Sequence, residues 1–311
     1  MSEATVSTVT VANAPISYGA FELTVGIDPN VPDGVGILDE VQRSGYSGID
    51  LGPVGYLGVG PELGERLAAR NLGLAGAYLE MPYADREGLE KLLPELDAMF
   101  DTFDAVVPFV DGPMPRPTLA DAGSLARNGN PGRAVHDRSV GMDDDTWQRF
   151  ASGLNMIVGR CRDRGYEPTF HHETGTYVEA PWEIEKVLDL TDIGLCLDTG
   201  HFLIGGGDPV QALKDWGSRI NHVHLKDALL SVMAGIMEDG APTMEIWSRE
   251  AFPPFGAGDV DCAGVLETLR QMNYSGWLVV EQDILPQTAE RFSRAASDQI
   301  ANREYLAAHG F

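Results

Sequence analysis

The chain is poor in cysteine and in positive charge, and it has no long apolar run. Its three cysteines, Cys161, Cys196 and Cys262, are an odd count without regular spacing, which argues against a secreted disulfide framework. None sits in a CxxC pair, the usual mark of a structural zinc site, and Cys196 reads as a packed core thiol. Lys and Arg number 22 against 47 Asp and Glu, a formal net charge of −25. That balance repels phosphate backbones and anionic membranes, so nucleic acid and lipid are poor partners and a neutral polyol or keto-sugar is a better one. No stretch of about 18 apolar residues is present to cross a bilayer. The opening MSEATVSTVTVANAP lacks the basic and then apolar order of a signal peptide, so the expected location is the cytoplasm.

What is present is a regular alternation. Short strand-like runs and amphipathic helical stretches follow one another along all 311 residues, with no linker to divide them. Such alternation predicts βα repeats and a parallel sheet, and the length suits a (β/α)8 TIM barrel as a single domain over 1–311. Strands are expected at Val9–Asn13, Gly48–Leu51, Leu72–Leu79 and Ala105–Phe109. Helices are expected at 36–44, 61–70, 86–100, 145–164, 182–190, 208–216, 260–272 and 287–307. Two stretches without periodicity, 111–144 and 228–255, read as long loops that follow strands at the barrel mouth. Either could serve as a lid or as a contact between copies of the chain in a homo-oligomer.

Four apolar runs in the second half stop on residues that bind metals: Phe170-His171-His172-Glu173, Leu195-Cys196-Leu197-Asp198, Val223-His224 and Val279-Val280-Glu281. A barrel strand is packed on both faces, so a carboxylate at its end is costly without a partner cation. A single such residue is equally well a helix cap or half of a surface ion pair. Four in succession make a mixed oxygen and nitrogen cage at the C-terminal mouth. Glu173, Asp198, His224 and Glu281 are the expected ligands. His222 and His224 share one side of their strand, and the one nearer its end, His224, reaches the mouth. By the same reasoning Glu173 is preferred over His171, with His171 deeper and in contact with it, while His172 faces away. Three carboxylates and one imidazole suit Mn²⁺, with Mg²⁺ or Co²⁺ as alternatives. Gly205-Gly206-Gly207 lacks the Lys-Ser/Thr of a phosphate loop, and a turn needing positive φ explains it as well.

LDTGH at Leu197–His201, HVHLKD at His222–Asp227 and the closing GWLVVEQD resemble the xylose-isomerase-like superfamily of TIM barrels. NAPISYG at Asn13–Gly19, GYSGIDLGPVGYLG, HHETGTYVE and FPPFGAGDVD resemble its inosose dehydratase and sugar isomerase/epimerase branch, so the likeness covers essentially the whole chain. The resemblance implies the same four ligands. Where Glu173 stands, inosose dehydratases more often carry His, and epimerases and isomerases Glu. It also implies a lyase that dehydrates a keto-cyclitol such as 2-keto-myo-inositol through an enediolate. Keto-sugar isomerisation or epimerisation, or β-elimination from a 3-keto-glycoside, are the alternatives on the same site.

In the family, carboxylates at the positions of Glu173 and Glu281 are implicated in proton transfer. His201 and Lys226 are the candidates for protonating a departing hydroxyl, although Lys226 also reads as a loop lysine paired with Asp227. His201 is in addition a substrate contact, and Asn13, Tyr18, Asp50 and His171 are expected to line the pocket. Glu179 matches a family carboxylate and is expected to support the site or cap a helix. An inactive sugar-binding barrel is disfavoured because all four expected ligands are present. The phosphodiester-cleaving DNA-repair branch is disfavoured because the net charge opposes a basic groove.

Overall fold

Glycine sets the floor of this molecule. In the computed structural model, which describes residues 9–285 and 288–311, Trp277 lies across the bottom of a ring of parallel strands. A Cβ on Gly48 or Gly73 would come within 2.5 or 2.7 Å of its indole, so only glycine leaves room for the ring at those two positions. The indole N–H donates to Pro113 O at 3.0 Å. Ala12, Ala75 and Val279 pack with it as a small inner core.

The strands are β1 (Val9–Asn13), β2 (Gly48–Ile49), β3 (Gly73–Leu74), β4 (Gly76–Met81), β5 (Arg116–Asp121), β6 (Thr169–His171), β7 (Gly194–Asp198), β8 (Ile220–Leu225) and β9 (Gly276–Val280). They are hydrogen-bonded in the order β3-β2-β1-β9-β8-β7-β6-β5-β4, and every pair is parallel. Ala75 alone separates β3 from β4. Its N–H donates to Ile49 O at 2.9 Å and its carbonyl accepts from Arg116 N at 3.0 Å. The two short runs therefore form one stave, and the nine strands close into the eight-stave barrel expected of the sequence, as a single domain.

Helices surround the ring, each burying one apolar stripe. Asp144–Asp163 begins where Asp143 accepts a hydrogen bond from Thr146 N at 2.8 Å, and it buries Trp147, Phe150, Leu154, Ile157, Val158 and Cys161. Their spacing of three and four residues puts them on one face. Removing one such side chain, as in Leu154→Ala, costs about 2–5 kcal/mol. All three cysteines are free and buried. Among the described residues no helix is long and apolar enough to cross a membrane. The last helix runs Ala289–Ala308; Gln287 of the expected span, and residues 1–8 of the segment searched for a signal peptide, lie outside the described residues.

Two expectations fail. Ala105–Phe109 is not the fourth stave: the helix Leu93–Val106 runs into it and ends in a 3-10 turn at Val107–Phe109. Phe100, Phe103 and Val106 continue the buried helical stripe at a spacing of three, and this outweighs the β-branched pair Val106-Val107. The stave is β5, inside the stretch read as a loop. The stretch 228–255 is likewise not irregular, since it holds helices Leu230–Asp239 and Met244–Ser248. The two inserts meet where Thr243 donates to Asn128 O from both its N–H (2.8 Å) and its hydroxyl (3.0 Å).

Candidate metal centre at the barrel mouth

Staves β6 to β9 each deliver one ligand-type side chain to a common point. His171 and Asp198 are the last residues of β6 and β7, His224 is the penultimate residue of β8, and Glu281 directly follows β9. Asp198 is in register with His224, and His224 with Val279, so the staves bring these side chains side by side. One donor atom from each of His171, Asp198, His224 and Glu281 lies within 4.8 Å of all the others. His171, Asp198 and His224 are buried, and Glu281 is partly open to the mouth.

This set differs from the expected one at a single position. His171 stands in it where Glu173 was expected. β6 ends at His171, and the chain then turns: Thr176 N–H and its hydroxyl both bond to Glu173 O, and Gly175 takes a φ of 85°. Glu173 is thereby carried past the cluster. Its carboxylate lies 3.0 Å from His201 Nε2 and 3.4 Å from His171 Nδ1. His172 faces outward as expected, accepting from Asp198 N at 3.3 Å and packing against Phe202.

A cation is built into the protein itself. Lys226 is buried, with its ammonium 3.1 Å from Asp198, 3.0 Å from Glu281 and 2.9 Å from Asp283. It is not a loop lysine paired with Asp227. That carboxylate instead accepts the backbone N–H groups of Ala228, Gly256, Gly258 and Val260. Burial opposes every charge here, but the attraction is larger. Lys226, then His201 and His171, hold the Asp198 carboxyl well below its ordinary range, and Lys226 is held well above its own. Burial also works against a charge on His201, yet Glu173, helped by Asp198 and Asp283, lifts the imidazole to about 10.

Several buried polar atoms of the cluster make no hydrogen bond and face only charged neighbours: His171 Nδ1, Asp198 Oδ2 and both nitrogens of His224. Buried polar groups are satisfied as a rule, and each exception costs about 1–3 kcal/mol. Two imidazoles and two carboxylates converging on one point fit a divalent cation. Mixed donors of this kind suit a borderline ion better than Mg²⁺.

The residues expected to line the pocket divide. Asp50 joins it, with Oδ2 at 3.7 Å from His224 Nε2; burial first, then Glu281, pushes its carboxyl up to about 7 against the pull of His224. Asn13 does not: its amide donates to Gln299 Oε1 at 2.8 Å, tying β1 to the last helix. Tyr18 is fully buried beside Ser44 at the helix Gly34–Arg43, away from the cluster. Glu179 caps nothing in the helix Pro181–Leu190. Glu183 accepts the N–H groups of residues 179 and 180, while Glu179 pairs with Arg127 at 3.0 Å.

Sequence reasoning missed Tyr78, Glu80, Asp283, Trp247 and Phe252. Tyr78 packs edge-on against His171 with ring centroids 5.5 Å apart, and its hydroxyl bonds Glu80 at 3.1 Å. It is 38% exposed, which for a ring beside the buried cluster means that it faces the opening. The alternation of β4 put Tyr78 and Glu80 on one side, a signal that was available. Asp283, two residues beyond Glu281, bonds both Lys226 and the Trp247 indole. Phe252 covers His201 and the Lys226 ammonium, and nothing local in the sequence announced that.

A profile of the xylose isomerase-like TIM barrel matches residues 123–298, which hold all four converging side chains. The chain belongs to this family. Among curated relatives within reach, the inosose dehydratase of Geobacillus kaustophilus is 27% identical over 297 residues, covering 94% of this chain and 93% of its own. The inosose dehydratase of Bacillus velezensis is 28% identical, with 87% of each chain covered. Among solved structures, IolI with a bound zinc atom superposes with a TM-score of 0.67 over 96% of both chains at 13% identity, a likeness of fold. In this xylose isomerase-like barrel the expected long mouth inserts remain, but they are folded and docked on each other.

Proposed function

We propose that this protein is a metal-dependent carbon–oxygen lyase that removes water from a keto-cyclitol, 2-keto-myo-inositol being the substrate of choice. The observation that carries the reading is the convergence of His171, Asp198, His224 and Glu281, with the Lys226 ammonium against two of them. Its support from relatives is the likeness to inosose dehydratases over nearly the full length of both chains.

β-Elimination breaks a C–H bond next to the carbonyl, forms C=C, and breaks the bond to the β-hydroxyl, which leaves as water after taking a proton. A bound divalent cation would supply Lewis-acid polarisation of the carbonyl and fix the substrate's orientation. In this reading Mn²⁺ is the working ion and Co²⁺ a substitute. Glu173, partly exposed and facing the opening, takes the proton, with Glu281 the other carboxylate at the mouth. His201 is held cationic by Glu173 and stands ready to protonate the leaving hydroxyl; Lys226 is its rival for that role. Asp50 and His171 border the substrate. The protein acts on a small neutral molecule in the cytoplasm, with self-association left to the mouth inserts.

The test is direct. Mn²⁺-loaded protein is incubated with 2-keto-myo-inositol, and the product is followed by near-ultraviolet absorbance and mass spectrometry. An enone-type product lighter by one water is expected. Interconversion of a ketohexose with no loss of water would replace this reading with an isomerase or epimerase.

A further inference from the structure

One layer beneath the cluster, the same staves carry a second set of donors that the proposed reaction does not use. Thr169, Cys196 and His222 stand two residues before His171, Asp198 and His224, so their side chains point inward on the same faces. Cys196 is in register with His171 on one side and His222 on the other. Donor atoms of His171, Cys196 and His224 lie within 4.8 Å of one another, and all three residues are buried. Behind them, His222 has no exposed surface and a ring centroid 5.2 Å from that of His224. Neither of its nitrogens makes a hydrogen bond, and neither does the Thr169 hydroxyl in the same layer. Unpaired polar groups are rare in a protein core, and here they gather around a thiol and two imidazoles. A packed core thiol accounts for Cys196 alone but not for the unpartnered imidazole beside it.

We propose that the barrel holds a second, deeper cation position formed by His171, Cys196 and His224, with His222 at its back, and that it selects soft divalent ions such as Zn²⁺ and Cd²⁺. This rests on the metal reading of the upper set. Because both positions use His171 and His224, they are alternatives for a single ion. A hard or borderline ion stays with the carboxylates of Asp198 and Glu281, whereas a soft ion is drawn to sulfur. Moving down separates the ion from those carboxylates and from the mouth, so a soft ion in the deeper position competes with the catalytic one. On binding there, the Cys196 thiol releases its proton to solvent.

The experiment loads the full-length protein with Cd²⁺ and records its ultraviolet spectrum. A thiolate-to-cadmium charge-transfer band is expected, and it is lost in Cys196→Ser while cadmium is still taken up. X-ray absorption on the Zn²⁺ form should add one sulfur at about 2.3 Å, which needs no variant. Cadmium bound without a thiolate band, zinc without a sulfur neighbour, or a band that survives Cys196→Ser would overturn the deeper position and leave the upper set standing. Uptake of neither Cd²⁺ nor Mn²⁺ would overturn both.

Discussion

Asp121 and Asp198 occupy the same place in the fold and do different work. Each is the last residue of a stave, β5 and β7, and each is buried. Asp121 Oδ2 accepts the N–H groups of Gly123 at 3.0 Å and Tyr177 at 2.9 Å, so its carboxylate pins two loops. Asp198 gives one oxygen to the His201 N–H at 2.9 Å, capping the helix Thr199–Ile204, while the other has no hydrogen bond and faces Lys226 and His171. Asp121 is held by backbone donors alone, whereas Asp198 is shared between one backbone donor and charged side chains. The same division separates the halves of the barrel. Asn13 on β1 is bonded to the last helix, whereas His171, Asp198 and His224 on β6 to β8 each keep a buried polar atom without a hydrogen bond.

The comparison breaks first, and with the largest effect, at Asp198 or His224. Alanine at either position should abolish cation uptake and reduce turnover by more than the roughly 100-fold that loss of an outer partner costs. Metal content and rate are the readouts, and retention of both would remove Asp198 from the metal centre.

Lys226→Met is next. It leaves Asp198, Glu281 and Asp283 without their ammonium, and breaking a buried pair costs about 3–5 kcal/mol. A cation drawn to the same carboxylates should restore part of that loss. Mn²⁺ is therefore expected to raise the Tm of the variant more than that of the parent. Equal Tm shifts would mean that Lys226 and the cation act on different groups. Should Lys226 rather than His201 supply the proton, turnover falls by a further factor of roughly 10²–10⁴.

How much of this was legible depends on how each segment spends its apolar residues. GLCLD runs apolar up to Asp198 and GWLVV up to Glu281, the residue after it, and both were readable as staves with their ends placed to within one residue. RPTLAD was not, because Arg116, Pro117 and Asp121 leave only a short apolar centre, and the stave is held by its neighbours on both sides. At the site, Asp198, His224 and Glu281 were legible from strand ends alone. His171 was passed over because β6 reads two residues longer in the sequence than it is; the turn at Gly175 beyond it packs against Thr243 of a distant insert, close enough that a Cβ at Gly175 would collide with it. Tyr78 and Phe252 reach the mouth only through the closure of the ring.

Arg127→Met tests a buried charge group outside the site. Arg127 bonds Glu183 at 2.7 and 3.1 Å and Glu179 at 3.0 Å, and Glu179 also accepts the N–H of Gly132, so the triad holds the insert after β5 against the helix Pro181–Leu190. Two carboxylates left unpaired should lower stability by about 3–5 kcal/mol in a denaturant titration, with cation uptake unchanged. Loss of the cation along with stability would show that the insert also shapes the centre.

The smallest effect sharpens the comparison at its other end. Burial pushes the Asp121 carboxyl up from 3.8 to about 6, against the opposing pull of the Tyr177 and Gly123 N–H groups. A folded value above the unfolded one means that the native state binds the proton more tightly. Asp121 therefore favours folding at low pH, and this contribution is lost as pH rises through the interval between 3.8 and about 6. Asparagine at this position does not titrate and keeps one acceptor for the same N–H groups. Between about pH 4 and about pH 7 the Tm of the parent should thus decline relative to Asp121→Asn, with cation content equal in the two proteins throughout. An opposite slope would mean that the two N–H groups outweigh burial, and Asp121 would then resemble Asp198 in holding its charge by attraction.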